Sequence, residues 1–118
     1  MKLDKADQEF AKYIKNRDNW QCQRCFKQYS PGDRGLHCSH FYGRRKENTR
    51  HEPDNCVALC YGCHKYFDET DREAYRDFKL VELGGKRFDT LKVQANTHKK
   101  KDRKLEYIKY KKLNERTK

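Results

Sequence analysis

Two Cys-x-x-Cys pairs, Cys22 with Cys25 and Cys60 with Cys63, are separated by 34 residues. Four thiolates complete a tetrahedral shell around Zn²⁺ and leave no position for substrate, so this spacing predicts a structural zinc. His40, Asn55 and His64 fall 15 and then 9 positions apart, and His64 directly follows the second pair. Neighbouring helical side chains point about 100° apart, so Cys63 and His64 are expected to serve two separate ions. Asp68 lies one turn beyond His64, the spacing at which two helical side chains grip one cation. Hydrolysis of a phosphodiester needs an activated water and stabilisation of charge on the phosphorane and the departing oxygen. His40, on a strand expected to face the helix of His64, is placed to take the water's proton, because imidazole is largely neutral at pH 7. His64 and Asp68 are placed to hold one divalent ion against the non-bridging and leaving oxygens. Asn55 either orients the loop and base through its amide or binds the metal directly.

These residues must be positioned by short elements. Ala6, Phe10, Tyr13 and Ile14 recur at helical spacing after a capping Asp4, predicting a helix over 3–17. Residues 36–41 and 55–59 read as two strands, with Arg44, Arg45, Lys46 and Arg50 on the loop between them. A short helix is expected from about Cys63 to Asp68. Thr70 and Glu73 have the form of a capping box for a further helix, with Ala74, Phe78 and Val81, beside Tyr75 and Leu83, as its buried stripe and Gly84-Gly85 as its end. A shorter helix is expected over 88–98. Residues 99–118 hold ten Lys or Arg against three Asp or Glu, a local charge of +7, with Leu105, Ile108 and Leu113 as a thin apolar stripe. That end reads as a basic helix or arm, and 1–98 as the main domain. Cys38 and Cys56, one on each strand, read as small buried apolar residues. His37 reads as a surface residue flanking the strand, and His51 as a phosphate contact in the basic loop.

With 118 residues, 40% of them charged and 34% hydrophobic, the chain has room for one small core, which a metal would supplement. The net charge of +11 favours a polyanionic partner, nucleic acid above a small acidic substrate. MKLDKADQEF lacks the apolar stretch of a signal peptide and no run of about 20 apolar residues occurs, so a cytoplasmic protein without a membrane span is expected. In that compartment six cysteines argue for metal binding rather than disulfides.

From about Arg17 to Asp68 the pattern resembles the HNH (His-Me finger, ββα-metal) endonucleases, especially small bacteriophage-encoded members. The resemblance implies an α+β fold: a treble-clef-like ββα-metal finger with a structural four-cysteine zinc, flanked by N-terminal and C-terminal helices. It implies that His40 is the general base, that Asn55 organises the loop, and that His64 with Asp68 holds a catalytic Mg²⁺, Mn²⁺ or other divalent ion. Many members carry an Asp or His ligand just before the base; here that place is Ser39. The expected substrate is double-stranded DNA, with Arg44, Arg45, Lys46 and Arg50 on its phosphates. Two other readings stand beside this one. The first is a nuclease for branched DNA such as Holliday junctions, working as a homodimer among recombination proteins. The second is a non-catalytic zinc module that binds nucleic acid or a phage packaging protein.

Overall fold

Asp4 and Asp7 start the first helix by exchanging hydrogen bonds, each backbone N–H donating to the other's carboxylate at 2.8 and 3.0 Å. In this computed structural model, which describes residues 3–116, α1 is Lys5–Arg17. Strand β1 (Leu36–His40) pairs antiparallel with β2 (Cys56–Cys60) in the register Leu36↔Cys60 to His40↔Cys56. Between them lie a single helical turn, α2 (Glu47–Arg50), and a 3₁₀ turn at Pro53–Asn55. Helix α3 (Tyr61–Lys65) runs on as a π turn, Tyr66–Thr70. Helices α4 (Arg72–Ala95) and α5 (Arg103–Arg116) complete an α+β architecture with one two-stranded sheet.

Side chains alternate across a strand, and the interior falls into two clusters largely along that division, although Leu36 and Ala58, on the Cys38 face, join the first. Phe41, Val57 and Leu59 join Phe67, Tyr75 and Phe88 in a cluster against α3 and α4. Cys38 and Cys56 face the other way and pack with Phe10, Ile14 and Tyr110 from α1 and α5. Each face of the hairpin is thus covered by helix, which a sheet of only two strands needs for stability.

Several expected boundaries shift. The cap of α4 is Asp71, whose Oδ1 accepts from Ala74 N–H at 2.9 Å, while Thr70 closes the π turn. Gly84 (φ +79°, ψ 161°) breaks α4 where the glycine pair predicted an end, but the chain becomes helical again at once, so the expected helix over 88–98 is the second half of α4 and stops at Ala95. Val81 is 86% exposed; Tyr75, Lys79 and Leu83 are the buried positions of the first half.

The C-terminal segment is a helix, and of its expected stripe Leu113 packs against the α1 cluster. Leu105 and Ile108 are exposed, whereas Tyr110 and Asn114 are buried against α1. Tyr110 Oη donates to His51 O at 3.0 Å, and Asn114 Nδ2 donates to Glu9 O at 2.9 Å. Arg103 binds both Glu47 and Asp4, fastening the start of α5 to α2 and α1. The apolar pattern found Leu113 but missed Tyr110 and Asn114, which hydrogen bonds also anchor. Residues 117 and 118, the end of the tail, lie outside the described residues. Among the described residues no helix is long and apolar enough to cross a membrane.

Tyr110→Ala removes a ring that contacts Phe10, Tyr13 and His51. The expected loss is about 3 kcal/mol of unfolding free energy, read from urea denaturation. A loss under about 0.5 kcal/mol would mean that α5 is not part of the core.

Candidate functional site

The four paired cysteines come together. One sulfur from each of Cys22, Cys25, Cys60 and Cys63 lies within 4.8 Å of the others, so the cluster could hold a metal such as zinc. In each pair the fourth residue's amide points back at the first sulfur: Cys25 N–H to Cys22 Sγ at 3.5 Å and Cys63 N–H to Cys60 Sγ at 3.4 Å. Arg24 adds a guanidinium donor to Cys63 Sγ at 3.4 Å. Burial alone would raise the Cys22 thiol, but amide donors from Cys25, Cys60 and Arg24 bring it down to about 7. Burial pushes Cys63 up to about 12. Donors around sulfur and a thiolate within reach of neutral pH fit an ion held by all four sulfurs, which would clip the loop over residues 22–25 to the start of α3.

Asn55 organises the loop between the strands. Its Oδ1 accepts from Tyr42 N–H at 2.8 Å and its Nδ2 donates to Tyr42 O and Thr49 O at 2.9 and 3.0 Å. Each polar atom of this buried amide is thus engaged by the loop, the arrangement of a loop organiser. Lys79, itself fully buried, donates to Asp54 O and Cys56 O, and Arg17 donates to Pro53 O and Cys56 O. Two cations therefore satisfy the carbonyls of the turn.

Arg50 and His51, expected on phosphate, are buried struts. Arg50 Nε and His51 Nε2 both meet Asp7 Oδ1 at 2.8 Å. Burial would raise the Asp7 pKa, but hydrogen bonds from Arg50, the Asp4 amide and His51 hold it far below the usual carboxylate range. Of the four basic loop residues, Arg45 and Lys46 are exposed and Arg44 is half-buried.

On the α3 side, His64 Nε2 meets Asp68 Oδ2 at 2.9 Å, as the i,i+4 spacing predicted. Sequence reasoning missed the third member. His37 Nδ1 lies 3.1 Å from His64 Nδ1, and both histidines line an open pocket with Tyr61, Lys65, Asp68 and Glu69. Burial, with His64 and Lys15 nearby, lowers the His37 pKa, so the ring is neutral at pH 7. Two imidazole nitrogens at that distance either share a proton or turn their lone pairs to one cation. The alternation of β1 was the available signal, since His37 and Ser39 must share a face. Ser39 itself is spent on Tyr75, its Oγ 2.7 Å from the phenol oxygen.

His40 is not on that face. Its ring packs near Phe10 on the α1 side, and Nε2 lies 2.9 Å from Arg50 O. A carbonyl only accepts, so Nε2 carries the proton and Nδ1 the lone pair. Burial, reinforced by Arg44, lowers its pKa to about 4, leaving the ring neutral at pH 7. A second unexpected residue connects the two sides: Arg72 donates to Asp68 Oδ1 at 3.2 Å and to Phe41 O, next to His40, at 2.8 Å. The expected constellation is thus split across the end of the hairpin and joined by one guanidinium.

No family model, curated protein or solved structure matches the chain.

Asp7→Asn should cost roughly 3–5 kcal/mol at pH 7, because it leaves the Arg50 charge buried without its carboxylate. Asp7 is depressed in the folded state, so its stabilisation is present above the unfolded carboxylate value of about 3.9 and is lost as pH falls below it. The gap between wild type and variant in urea unfolding should therefore be constant from pH 7 to 5 and narrow below pH 4. A gap already closed at pH 5 would contradict this assignment.

Proposed function

We propose that the chain is a metal-dependent DNA endonuclease, a ββα-metal finger stapled by zinc at Cys22, Cys25, Cys60 and Cys63. The observation that carries this reading is the open pocket in which His64, Asp68 and His37 converge, tied through Arg72 to the strand end that bears His40. An ion shared by His64 Nε2 and Asp68 would supply charge stabilisation to the phosphorane and the leaving oxygen, and His37, at the opposite ring nitrogen of His64, would orient that imidazole in place of a further ligand. Arg72, half-exposed beside Asp68, is suited to a non-bridging phosphate oxygen. His40 is the proposed base: the Arg50 carbonyl fixes its tautomer, and its Nδ1 lone pair is unprotonated at neutral pH. Asn55 acts through the loop it holds.

The net charge of +11 supports a DNA substrate. Arg45 and Lys46 remain the exposed loop cations, and a large cleft of about 1100 Å³ along α1 adds Lys12, Lys15 and Arg34 beside Arg44. A second reading, a zinc module that binds nucleic acid without cutting it, is favoured by one observation: His40 faces α1 while His64 faces away from it.

Nicking of supercoiled plasmid with Mn²⁺, Mg²⁺ or EDTA separates the two. Cleavage should need the divalent ion, with Mn²⁺ ahead of Mg²⁺ because imidazole ligands suit the softer ion. His40→Ala should lower the rate by about 10²–10⁴-fold with DNA affinity nearly unchanged. His37→Ala should instead raise the metal concentration for half-maximal cleavage. DNA binding without nicking under any of these ions selects the non-catalytic module.

Loss of the structural ion is tested apart from activity. Cys22→Ser should release the zinc of the four-cysteine cluster and lower the melting temperature, as read by elemental analysis and calorimetry. An unchanged zinc content would place that ion elsewhere.

A further inference from the structure

Three donor groups on the α1 face of the hairpin are absorbed by neither the four-cysteine cluster nor the His64 pocket. Cys38 and His40 are two residues apart on β1, and Cys56 stands opposite His40 in the register, so all three point to one side. One ligand atom from each lies within 4.8 Å of the others. Both thiols are buried, and Phe10, Ile14 and Tyr110 cover them.

His40 carries the decisive detail. Its Nε2–H donates to Arg50 O, and its other nitrogen, Nδ1, is buried with no hydrogen-bond partner. A buried lone pair left unsatisfied costs about 1–3 kcal/mol. A metal-ligating histidine has this same arrangement, one ring N–H held by a backbone carbonyl and the other nitrogen on the ion.

We propose that Cys38, His40 and Cys56 form a second, buried metal site that takes one thiophilic d¹⁰ ion, Zn²⁺ or Cu⁺. The donor set, two sulfurs and one imidazole, is the kind that soft and borderline ions select over Mg²⁺ or Ca²⁺. Bond lengths of about 2.3 Å to sulfur and 2.0–2.1 Å to nitrogen require the three groups to draw together slightly around the ion. Binding releases the two thiol protons to solvent and leaves the imidazole proton on Nε2. With Zn²⁺ the resulting unit is neutral; with Cu⁺ it carries one negative charge, which Arg44, Lys15 and Arg17, the cations acting on Cys38, offset.

The site stands on the hairpin geometry and does not rest on the nuclease reading. Where that reading also holds, a filled site takes the lone pair the base needs, so the soft ion inhibits cleavage.

The test uses the full chain, reduced and metal-free, titrated first with Co²⁺ and then, after zinc has filled the four-cysteine cluster, with Cu⁺. Two sulfur-bound ions per chain are expected, counted by sulfur-to-metal absorbance, to which an ion at His64 and Asp68 adds nothing. With Co²⁺ the second should add about half the sulfur-to-metal absorbance of the first, because it has two thiolates rather than four. The double variant Cys38→Ser/Cys56→Ser should keep the first equivalent and lose the second, and His40→Ala should weaken the second by at least about 10-fold. A second equivalent of Cu⁺ alone identifies the ion as copper and supports the site. One sulfur-bound equivalent per chain with both ions, or two retained in the double variant, overturns it. If the double variant fails to fold, the wild-type stoichiometry and absorbance decide. Plasmid nicking is scored separately, so a chain that binds two ions without cutting refutes the nuclease reading and leaves this site standing.

Discussion

Asp7 is the carboxylate on which the candidate chemistry depends. It completes the capping box of α1, then receives Arg50 and His51 from the loop forty residues on, in a largely buried site. That contact fixes where the Arg50 backbone lies, and the Arg50 carbonyl decides which nitrogen of His40 holds a proton. An electrostatic bond between helix and loop is thereby transmitted into the tautomer of an imidazole. The Asn55 amide holds the other end of the same loop to Tyr42 and Thr49. Neither contact is with an ion or with a reacting atom, yet each decides what the histidine can do.

The hairpin separates two chemistries by parity alone. Odd positions of β1 bring His37 to His64 and Ser39 to Tyr75, while even positions bring Cys38 and His40 under α1. A two-stranded sheet is thin enough that backbone contacts at its end span both sides, and Arg72 does this between Asp68 and Phe41. Its guanidinium also lies over the rings of Phe41 and Tyr75, which limits its freedom before any ligand arrives.

Motifs that rest on local spacing were legible in the sequence. The Cys pairs, the His64–Asp68 turn, the capping Asp4, both strands and the glycine break follow from short-range rules, and all have counterparts in the fold. Side chains whose role is set by a distant partner were not. Arg50 looks like any loop arginine until Asp7 is placed beside it, and His37 looks like a flanking residue until strand parity sets it against α3. Of the α5 stripe Leu113 was legible, whereas Tyr110 and Asn114 escaped because hydrogen bonds anchor them. Lys79 escaped for the same reason: its buried amine answers carbonyls that no sequence pattern reveals.

Gly84 adopts a backbone conformation that other residues avoid, although no atom lies within 4 Å of the place where a Cβ would stand. Space is therefore no guide to what this position accepts. The bend turns the second half of α4 back so that Phe88 covers Phe41, the residue whose carbonyl Arg72 grips. During sequence drift, a single added methyl group in open solvent would strain the elbow, and the disturbance would reach the candidate site through an aromatic contact without changing any residue there. Gly43, Gly62 and Gly85 have equal room and ordinary backbone angles, so the same drift passes through them silently.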